Sequence, residues 1–252
     1  MLAATRAATL RVPGVERALS SWFREHGRDL PWRKTRDPYS VLVSELMLQQ
    51  TQVERVIPRW VAWIERWPTA EALAAASPAE AIRAWQGLGY NRRALALHRA
   101  ATVIAEHGWP DDLTELPGVG RYTADAVRNF AFGEAVLPED VNVRRVQERT
   151  ARSFGPEHAA ALMDLGATVC LARVPRCSAC PLAGECPARG RRYEPLRKQS
   201  RFEGSFRQRR AAVLRLVAEA PRRLEELDGE AVNALSRDGL VQVDAGLVAL
   251  PT

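Results

Sequence analysis

The stretch LPGVGRYTA at residues 116–124 decides the fold prediction, because it places a glycine-rich turn directly before a helix. Gly118 and Gly120 free the backbone to turn sharply and to approach another chain closely. Such a turn exposes N–H groups at the start of the next helix, where the helix dipole favours an anion. A DNA phosphate would fit there without any base being read. A bare G-V-G turn is usually an ordinary helix–helix connection, but the following Arg121-Tyr122-Thr123-Ala124 favours the DNA-binding interpretation.

Helical patterns extend from this turn over residues 15–190. Asp37-Pro38 and the capping box Ser77-Pro78-Ala79-Glu80 are helix start signals. Three tryptophans at helical spacing in residues 52–67 predict a buried face rather than a stacking surface. No alternating strand pattern precedes residue 210, so this part is predicted to be all-α. The first predicted helix begins at residue 38 and runs towards the glutamines. The others cover residues 52–67, 78–87, 91–107, 113–132 with a break at 117–120, 141–154 and 157–170.

The end of the chain predicts a second, smaller module at residues 208–252. Residues 208–220 and 224–238 have helical patterns, and residues 239–250 alternate around Asp244-Ala245-Gly246, which indicates a hairpin. Two helices and a hairpin predict a winged-helix-like α+β module, joined to the core by a basic linker at residues 191–207.

Composition and charge limit the function classes. The 252 residues are 46% hydrophobic, which is enough to build a core, and no apolar run approaches the roughly 18 residues of a membrane helix. The first twelve residues lack the apolar centre of a secretory signal, so we expect a soluble, cytoplasmic chain with a frayed start. Residues 191–210 hold eight basic and two acidic residues, which equals the whole net charge of +6. Such a strip suits nucleic acid, and a solvated linker explains it equally well.

The cysteines cluster in one short segment. All four lie between residues 170 and 186, as Cys170, Cys177, Cys180 and Cys186. A tight cluster in a chain without export signals favours a metal over disulfides. Zinc and a [4Fe–4S] cluster both accept four cysteines, although this spacing lacks the two C-x2-C pairs of a zinc ribbon.

Two carboxylates are candidates for acid–base chemistry. Glu45 stands in an otherwise apolar helix, where burial would raise its pKa and let it donate a proton, unless it lies on the helix surface. Beside it, Gln49, Gln50 and Gln52 supply amide groups that can address base edges. Asp140 precedes a helix, so it can serve as an N-cap, as a carboxylate facing a developing cation, or as both.

Seven stretches in order along residues 15–190 carry a family resemblance. They are LPWR at 30–33, DPY at 37–39, SELMLQQTQV at 44–53, GLGY at 87–90, LPGVGRYT at 116–123, D-x-N-V at 140–143, and LGATVC at 165–170 with three further cysteines. With them the chain resembles the helix-hairpin-helix DNA glycosylases that carry an iron–sulfur loop. Within that superfamily it is most similar to the A/G-specific adenine glycosylases of the MutY family, because MLQQTQV at 47–53 is nearly diagnostic of them.

The resemblance implies a fold and roles for the residues. It implies a two-lobed helical core with a six-helix lobe at about 38–136 and a [4Fe–4S] lobe formed by 15–37 and 137–190. Glu45 then matches the acid that protonates adenine, and Asp140 the carboxylate that stabilises or traps the sugar cation. Tyr122 and Asn142 match residues of the catalytic pocket. Gln50 and Tyr90 match residues that wedge into the duplex, and Arg33 and Leu48 match residues around the flipped base. The other implied substrate contacts are Gln49, Gly118, Gly120 and Arg121, and the implied cluster ligands are the four cysteines.

The implied reaction is base excision from double-stranded DNA. Adenine departs slowly because the leaving base carries negative charge; protonation removes that charge while a carboxylate stabilises the oxocarbenium-like sugar. Strand-cleaving members use a hairpin lysine to form a Schiff base. Tyr122 occupies that position, and no lysine lies between Lys34 and Lys198. We therefore expect a monofunctional, monomeric enzyme that acts at the nucleoid.

Three departures from the family leave alternatives open. Residues 149–156 connect two helices more directly than usual, and Ala160 replaces a polar residue that helps to read adenine in many members. Residues 191–252 are too short for the long domain that reads 8-oxoguanine, so the opposite base is undecided. The alternatives are a thymine or uracil mismatch glycosylase, a non-catalytic iron–sulfur DNA-binding protein and a zinc-stabilised module.

Overall fold

The computed structural model describes residues 13–194 and 201–252. Contacts divide them into two units, one of residues 13–29 and 128–194, the other of residues 30–127 and 201–252. None of the helices within these ranges has the length and apolar character needed to cross a membrane. The helices are α1 (Pro13–His26), α2 (Pro38–Leu48), α3 (Val53–Arg66), α4 (Ala70–Ala74), α5 (Pro78–Ala84), α6 (Arg92–His107), α7 (Arg121–Phe130), α8 (Val141–Thr150), α9 (Ala159–Thr168), α10 (Phe206–Glu219) and α11 (Gly229–Arg237).

The second unit is built around α2, whose residues 39–47 are all buried. The tryptophans of α3 pack against it, which confirms the predicted core face: Trp60 Nε1 donates to the Ser40 carbonyl at 2.9 Å and Trp63 Nε1 to the Tyr39 hydroxyl at 3.1 Å. Burial raises the pKa of the Tyr39 hydroxyl well above its usual range. These bonds satisfy the indole and hydroxyl groups that burial would otherwise penalise.

The predicted helix starts at residues 38 and 78 are confirmed, whereas several helices end earlier than predicted, among them α5 at Ala84 and α8 at Thr150. Asp37 caps α2 by accepting from the Ser40 N–H at 2.7 Å, and Ser77 and Glu80 form the capping box of α5. However, α2 ends at Leu48 instead of continuing through the glutamines. Residues 113–132 also divide into one 3₁₀ turn (Leu113–Glu115) and α7.

The first unit packs α1 against α8 and α9. Leu19, Val146, Leu162 and Leu165 are fully buried in its core, with Leu182 of the cysteine segment alongside. Asp164 of α9 is completely buried, and it accepts from the N–H and the guanidinium of one arginine, Arg28, at 2.6–2.8 Å. A buried carboxylate needs such pairing, because leaving it alone would cost several kcal/mol, roughly 3–5.

The C-terminal part forms the expected winged-helix-like arrangement with one additional strand. The hairpin strands β2 (Gln242–Asp244) and β3 (Leu247–Ala249) were predicted, while β1 (Arg222–Arg223) was not; the three pair antiparallel in the order β1-β3-β2. The predicted second helix begins later, at α11, because residues 224–226 form a 3₁₀ turn. Within the second unit this part contacts α5, where Arg83 Nε donates to the Ala218 carbonyl at 3.0 Å.

The basic strip is less available to a polyanion than its composition indicates. Arg209 binds Asp228 and Glu230 at 2.8 and 2.6 Å, and Arg210 binds Asp238. These two arginines therefore join α10 to α11. Residues 195–200 of the predicted linker lie outside the described residues, and α10 begins at Phe206 within the predicted linker.

Candidate active site and cysteine cavity

Glu45 lies in the middle of α2 and is only 6% exposed, so it is a buried acid and not a helix-surface glutamate. Its neighbours Ser44 and Leu46 are fully buried, and the Ser44 hydroxyl donates to the Val41 carbonyl at 2.7 Å. A carboxyl group in such surroundings is suited to proton transfer, because it is shielded from bulk water.

The segment after α2 presents the predicted base-contacting residues. Leu48 ends the helix and, like Gln49, is half-buried, whereas Gln50 is exposed. Gln49 Nε2 lies 3.5 Å from the Thr123 hydroxyl of α7, which connects this segment to the residue beside Tyr122. Arg33, also predicted to lie near the base, is half-buried at the end of a 3₁₀ turn (Pro31–Arg33).

The two residues expected to enter the duplex share an unusual backbone conformation. Gln50 has φ of 55° and Tyr90 has φ of 47°, in the left-handed region that non-glycine residues rarely adopt. The side chain of Tyr90 is 48% exposed. Such residues occur at functional sites when the surrounding structure holds them in place.

The hairpin requires glycine at one of its two glycine positions. Gly118 has φ of +80°, and a Cβ there would lie 2.7 Å from the Ala96 Cβ of α6. Gly120 has neither restriction, since no atom lies within 4 Å of its would-be Cβ. The expectation that both glycines are needed for the turn is thus met at Gly118 alone, while Gly120 leaves open space directly before α7.

The first turn of α7 carries the other hairpin candidates. Arg121 is 81% exposed at its side chain and pairs with the buried Asp125 one turn later at 3.0 Å. Tyr122 is half-buried. Arg121 therefore presents a positive charge beside a helix N-terminus, which is a suitable arrangement for a phosphate.

In the first unit, Asp140 caps α8 and is held in place by three hydrogen bonds. Its Oδ1 accepts from the N–H groups of Asn142 and Val143 at 2.8 and 2.7 Å, and its Oδ2 from the Asn142 side chain at 2.7 Å. The N-cap interpretation is therefore correct. The same bonds fix the carboxylate in one orientation at the positive end of the helix dipole.

A hydrogen-bonded chain continues from Asp140 towards the cysteines. Arg145 Nη2 donates to Asn142 Oδ1 at 2.6 Å and to the Gly166 carbonyl at 2.7 Å, and its Nε donates to the Cys170 carbonyl at 2.7 Å. Burial lowers the pKa of the Arg145 guanidinium. The position of the Asp140–Asn142 pair thus depends on the packing of α8 against α9.

Gly166→Ala should test that dependence. A Cβ at Gly166 would lie 2.5 Å from the Asn142 Cβ and 2.9 Å from its Cα, so α9 must move away from α8. A displacement of about 1 Å at a catalytic group can cost up to about 100-fold in rate. The resemblance implies base release as the reaction, and we expect a loss of this order in its single-turnover rate. Gly14→Ala, in α1 with open space around it, is the control, and equal rates for both variants would contradict the expectation.

The four cysteines line one cavity in the first unit, and all are half-buried free thiols. The Gly190 N–H lies 3.3 Å from the Cys177 sulfur, and the Cys186 thiol donates to the Arg149 carbonyl at 3.3 Å. Burial raises the pKa of the Cys180 thiol to about 11. Within residues 13–194 and 201–252, no group of three or more His, Cys, Asp or Glu side chains is arranged around a single metal ion.

Arg149 of α8 organises the start of this segment. Its guanidinium donates to the carbonyls of Leu171 and Ala172 at 2.7 Å, lies 3.5 Å from the Cys170 sulfur, and stacks 3.8 Å from the Tyr193 ring centroid. Four cysteine sulfurs and one guanidinium line the same cavity, so the donor set and its neighbouring positive charge fit a thiolate-bound iron–sulfur cluster.

Three arginines that hold the segment after α2 and the cysteine segment were not predicted: Arg93, which donates to the Leu46 carbonyl at 2.8 Å, and Arg145 and Arg149 with the bonds given above. Arg93, Arg145 and Arg149 all lie in predicted helices, yet nothing in their spacing distinguishes them from surface arginines. No local signal could have found them, because Arg93 and Arg149 are buried and Arg145 is half-buried only as a result of how the helices pack, and a charge in such a position needs polar partners.

Comparison with known proteins assigns the chain to a family. Residues 43–164 match the model of the HhH-GPD superfamily base excision DNA repair proteins. An adenine DNA glycosylase of Mycolicibacterium smegmatis is 42% identical, covering 90% of this chain and 92% of that protein. One of Mycobacterium tuberculosis is 44% identical over 83% of this chain and 81% of that protein.

Human and structural relatives agree with this placement. A human adenine DNA glycosylase is 39% identical over 69% of this chain and 39% of its own length. Among solved structures, a thermostable thymine-DNA glycosylase superposes with a TM-score of 0.61 at 28% identity, over 69% of this chain and 93% of that chain. An endonuclease III in a trapped DNA complex, at 22% identity and a TM-score of 0.59, shares the fold. The chain belongs to the HhH-GPD superfamily of base excision DNA repair proteins and, within it, to the adenine DNA glycosylase family.

Proposed function

We propose that this chain is a monofunctional DNA glycosylase that flips a mispaired adenine out of double-stranded DNA and hydrolyses its N-glycosidic bond. The observation that carries the proposal is the burial of Glu45 in an apolar helix inside the matched region, residues 43–164. The adenine specificity follows the family, and the mispaired partner is proposed to be guanine or 8-oxoguanine.

Glu45 would protonate the departing base. Adenine leaves as an anion unless it is protonated, and a shielded carboxylic acid can supply the proton as the bond breaks. General acid help of this kind contributes about 10²- to 10⁴-fold. Extruding the base from the stack costs a few kcal/mol, less at a mismatch, which supports selection of a mispaired base.

Asp140 would stabilise the sugar cation that remains, or trap it covalently. Its three hydrogen bonds leave the carboxylate in a fixed orientation, so little reorganisation is needed as positive charge develops. Asn142 supports both of its oxygens, Oδ1 through the backbone N–H and Oδ2 through the side chain, and is proposed as a catalytic residue beside Asp140. Tyr122 is proposed, from the family resemblance, as a catalytic residue of the second unit. The pairing follows the two-carboxylate logic of glycoside hydrolysis.

The absence of a suitably placed lysine supports the monofunctional assignment. A Schiff base needs an amine, and the chain has only Lys34 and Lys198, with Tyr122 at the hairpin position. The product would be an abasic site in an unbroken strand.

DNA would be bound by the hairpin and by the two strained loops. The N-terminus of α7 with Gly118, Gly120 and Arg121 is proposed to hold a phosphate, and Gln50 and Tyr90 to enter the duplex. Leu48, Gln49 and Arg33 would contact the target base. A monomer in the cytoplasm, acting at the nucleoid, suffices for this arrangement.

The cysteine cavity is proposed to hold a [4Fe–4S] cluster bound by Cys170, Cys177, Cys180 and Cys186. Four thiols, the donor set that such clusters use, line one cavity next to Arg149. The cluster, when bound, would cross-link residues 170–186 and hold them against α8.

Removal of one ligand should test the cluster. Aerobically purified protein is expected to absorb in the visible region as iron–sulfur proteins do, and Cys180→Ser should lose that absorption together with iron. Ser178→Ala, in the same turn, should leave both unchanged. Zinc without visible absorption in the wild type would refute the iron–sulfur assignment.

A four-duplex assay tests the proposed reaction. Purified protein is incubated with duplexes that contain A:8-oxoguanine, A:G, T:G or U:G, and each sample is analysed with and without alkali. We expect cleavage at adenine alone, and only after alkali because the strand stays intact.

The second candidate is a thymine or uracil mismatch glycosylase. It is favoured by the structural similarity to a thymine-DNA glycosylase and by Ala160 in the first turn of α9. Cleavage of only the T:G or U:G duplex would establish this candidate. An inert wild type on all four duplexes would favour a binding-only protein.

A further inference from the structure

Two separate loops of the second unit contain the strained residues Gln50 and Tyr90. A left-handed backbone at a non-glycine residue costs free energy, so each loop would relax unless other contacts held it. Neither strained position is occupied by glycine, which would adopt this conformation without a steric cost. Other contacts must therefore hold both loops in place.

One guanidinium, that of Arg93, contacts both loops. In the first it donates to the carbonyls of Leu46 and Met47 at 2.8 and 3.3 Å, to the Gln49 carbonyl, and to the Thr51 hydroxyl at 3.3 Å. Gln49 and Thr51 directly precede and follow Gln50, and Leu46 and Met47 belong to the last turn of α2, from which this loop continues.

In the second loop Arg93 holds the strained residue itself. It donates to the carbonyls of Gly89 and Tyr90 at 3.0 and 3.3 Å, and its Cζ lies 5.2 Å from the Tyr90 ring centroid. Its own position is fixed, because Arg93 is only 9% exposed and stands in the first turn of α6. A planar guanidinium with five N–H groups can serve these six acceptors when one N–H of Nη1 is shared between two carbonyls, whereas a lysine ammonium has only three N–H groups.

We infer that Arg93 is a positioning residue that joins the Gln50 loop and the Tyr90 loop into one rigid element, so that both residues enter the duplex together. This inference rests on the proposed function. Replacing Arg93 would leave the carbonyls of both loops without their donor, and each loop would move independently. Base extrusion would then suffer more than DNA binding or folding.

The test measures extrusion without chemistry. In the Glu45→Gln background, 2-aminopurine replaces the target adenine opposite guanine, and its fluorescence rises when it leaves the stack. Arg93→Lys keeps the positive charge and is the variant expected to stay folded, while Arg93→Met removes every hydrogen-bond donor of the side chain. Arg99→Lys, at an exposed position of the same helix, is the control. Saturation is checked by anisotropy, and each variant's melting temperature is recorded.

At saturating protein, Glu45→Gln and its Arg99→Lys derivative should give the same rise, and Arg93→Lys a rise at least about threefold smaller at an unchanged melting temperature. Arg93→Met should lose more than Arg93→Lys. A full rise with both Arg93 variants would overturn the inference and leave the proposed function standing. No rise with Glu45→Gln alone, at saturation, would overturn both.

Discussion

Glu45→Gln should abolish base release and leave DNA binding intact. Glutamine has nearly the same size and can still form hydrogen bonds within α2, but it cannot donate a proton to the leaving base. Because general acid catalysis contributes about 10²- to 10⁴-fold, the single-turnover rate on an A:8-oxoguanine duplex should fall by that factor. Binding, measured by anisotropy with the same duplex, should change less than about threefold, since Glu45 is buried and makes no bond to a phosphate in this account.

Glu54→Gln is the matched control for this prediction. Glu54 lies in the first turn of α3 and is exposed, so the same chemical change should leave the rate unchanged. Wild-type turnover by Glu45→Gln would mean that another group protonates the base.

Asp140→Asn should cause the second large loss. Asparagine is as good an N-cap as aspartate, so α8 should remain capped while the negative charge near the sugar is removed. Removing one preorganised electrostatic contact of this kind costs on the order of 10²- to 10³-fold in rate. Melting temperature and DNA affinity should stay near wild-type values, which separates the catalytic role from the capping role.

The control for Asp140→Asn is the same change at another helix start. Asp228 caps α11 by accepting from the Ala231 N–H at 3.0 Å, so Asp228→Asn tests the substitution at an N-cap away from the predicted site residues. If Asp140→Asn lowered stability but kept the rate, Asp140 would be a cap and nothing more.

Local sequence signals predicted the helix starts, and the reason is physical. Asp37 and Ser77 place a side-chain oxygen where the first N–H groups of α2 and α5 lack partners, and no distant residue is needed. The tryptophan face of α3 was equally predictable, because its period fixes which side is buried.

The end of α2 could not be predicted in the same way. The sequence continues with good helix formers through Gln52, yet the carbonyls of Leu46 and Met47 bind Arg93, and the Thr51 N–H binds the Leu48 carbonyl. The partner that ends the helix thus lies more than 40 residues away in the chain. Contacts of that range are set by packing and leave no local pattern.

The candidate site was predictable as residue types and matching motifs but not as a network. The order Asp140, Asn142, Arg145 suggests one helix face, but the connection to Gly166 and Cys170 depends on how closely α8 and α9 pack. For the basic strip at residues 191–210, the charge count overestimated the positive charge that is free to bind DNA. Counting charges cannot reveal that Arg209 and Arg210 bind acidic residues of the C-terminal part.

The most direct test is to identify the base that is set free. Wild type, Glu45→Gln and Asp140→Asn are mixed in excess with an A:8-oxoguanine duplex, and free bases are quantified by mass spectrometry over time. We expect one adenine per duplex from the wild type, an intact strand with an abasic site, and no adenine from either variant over the same period. Release of thymine or uracil from the corresponding mismatches and no adenine, or adenine release at the wild-type rate by either variant, would contradict this expectation.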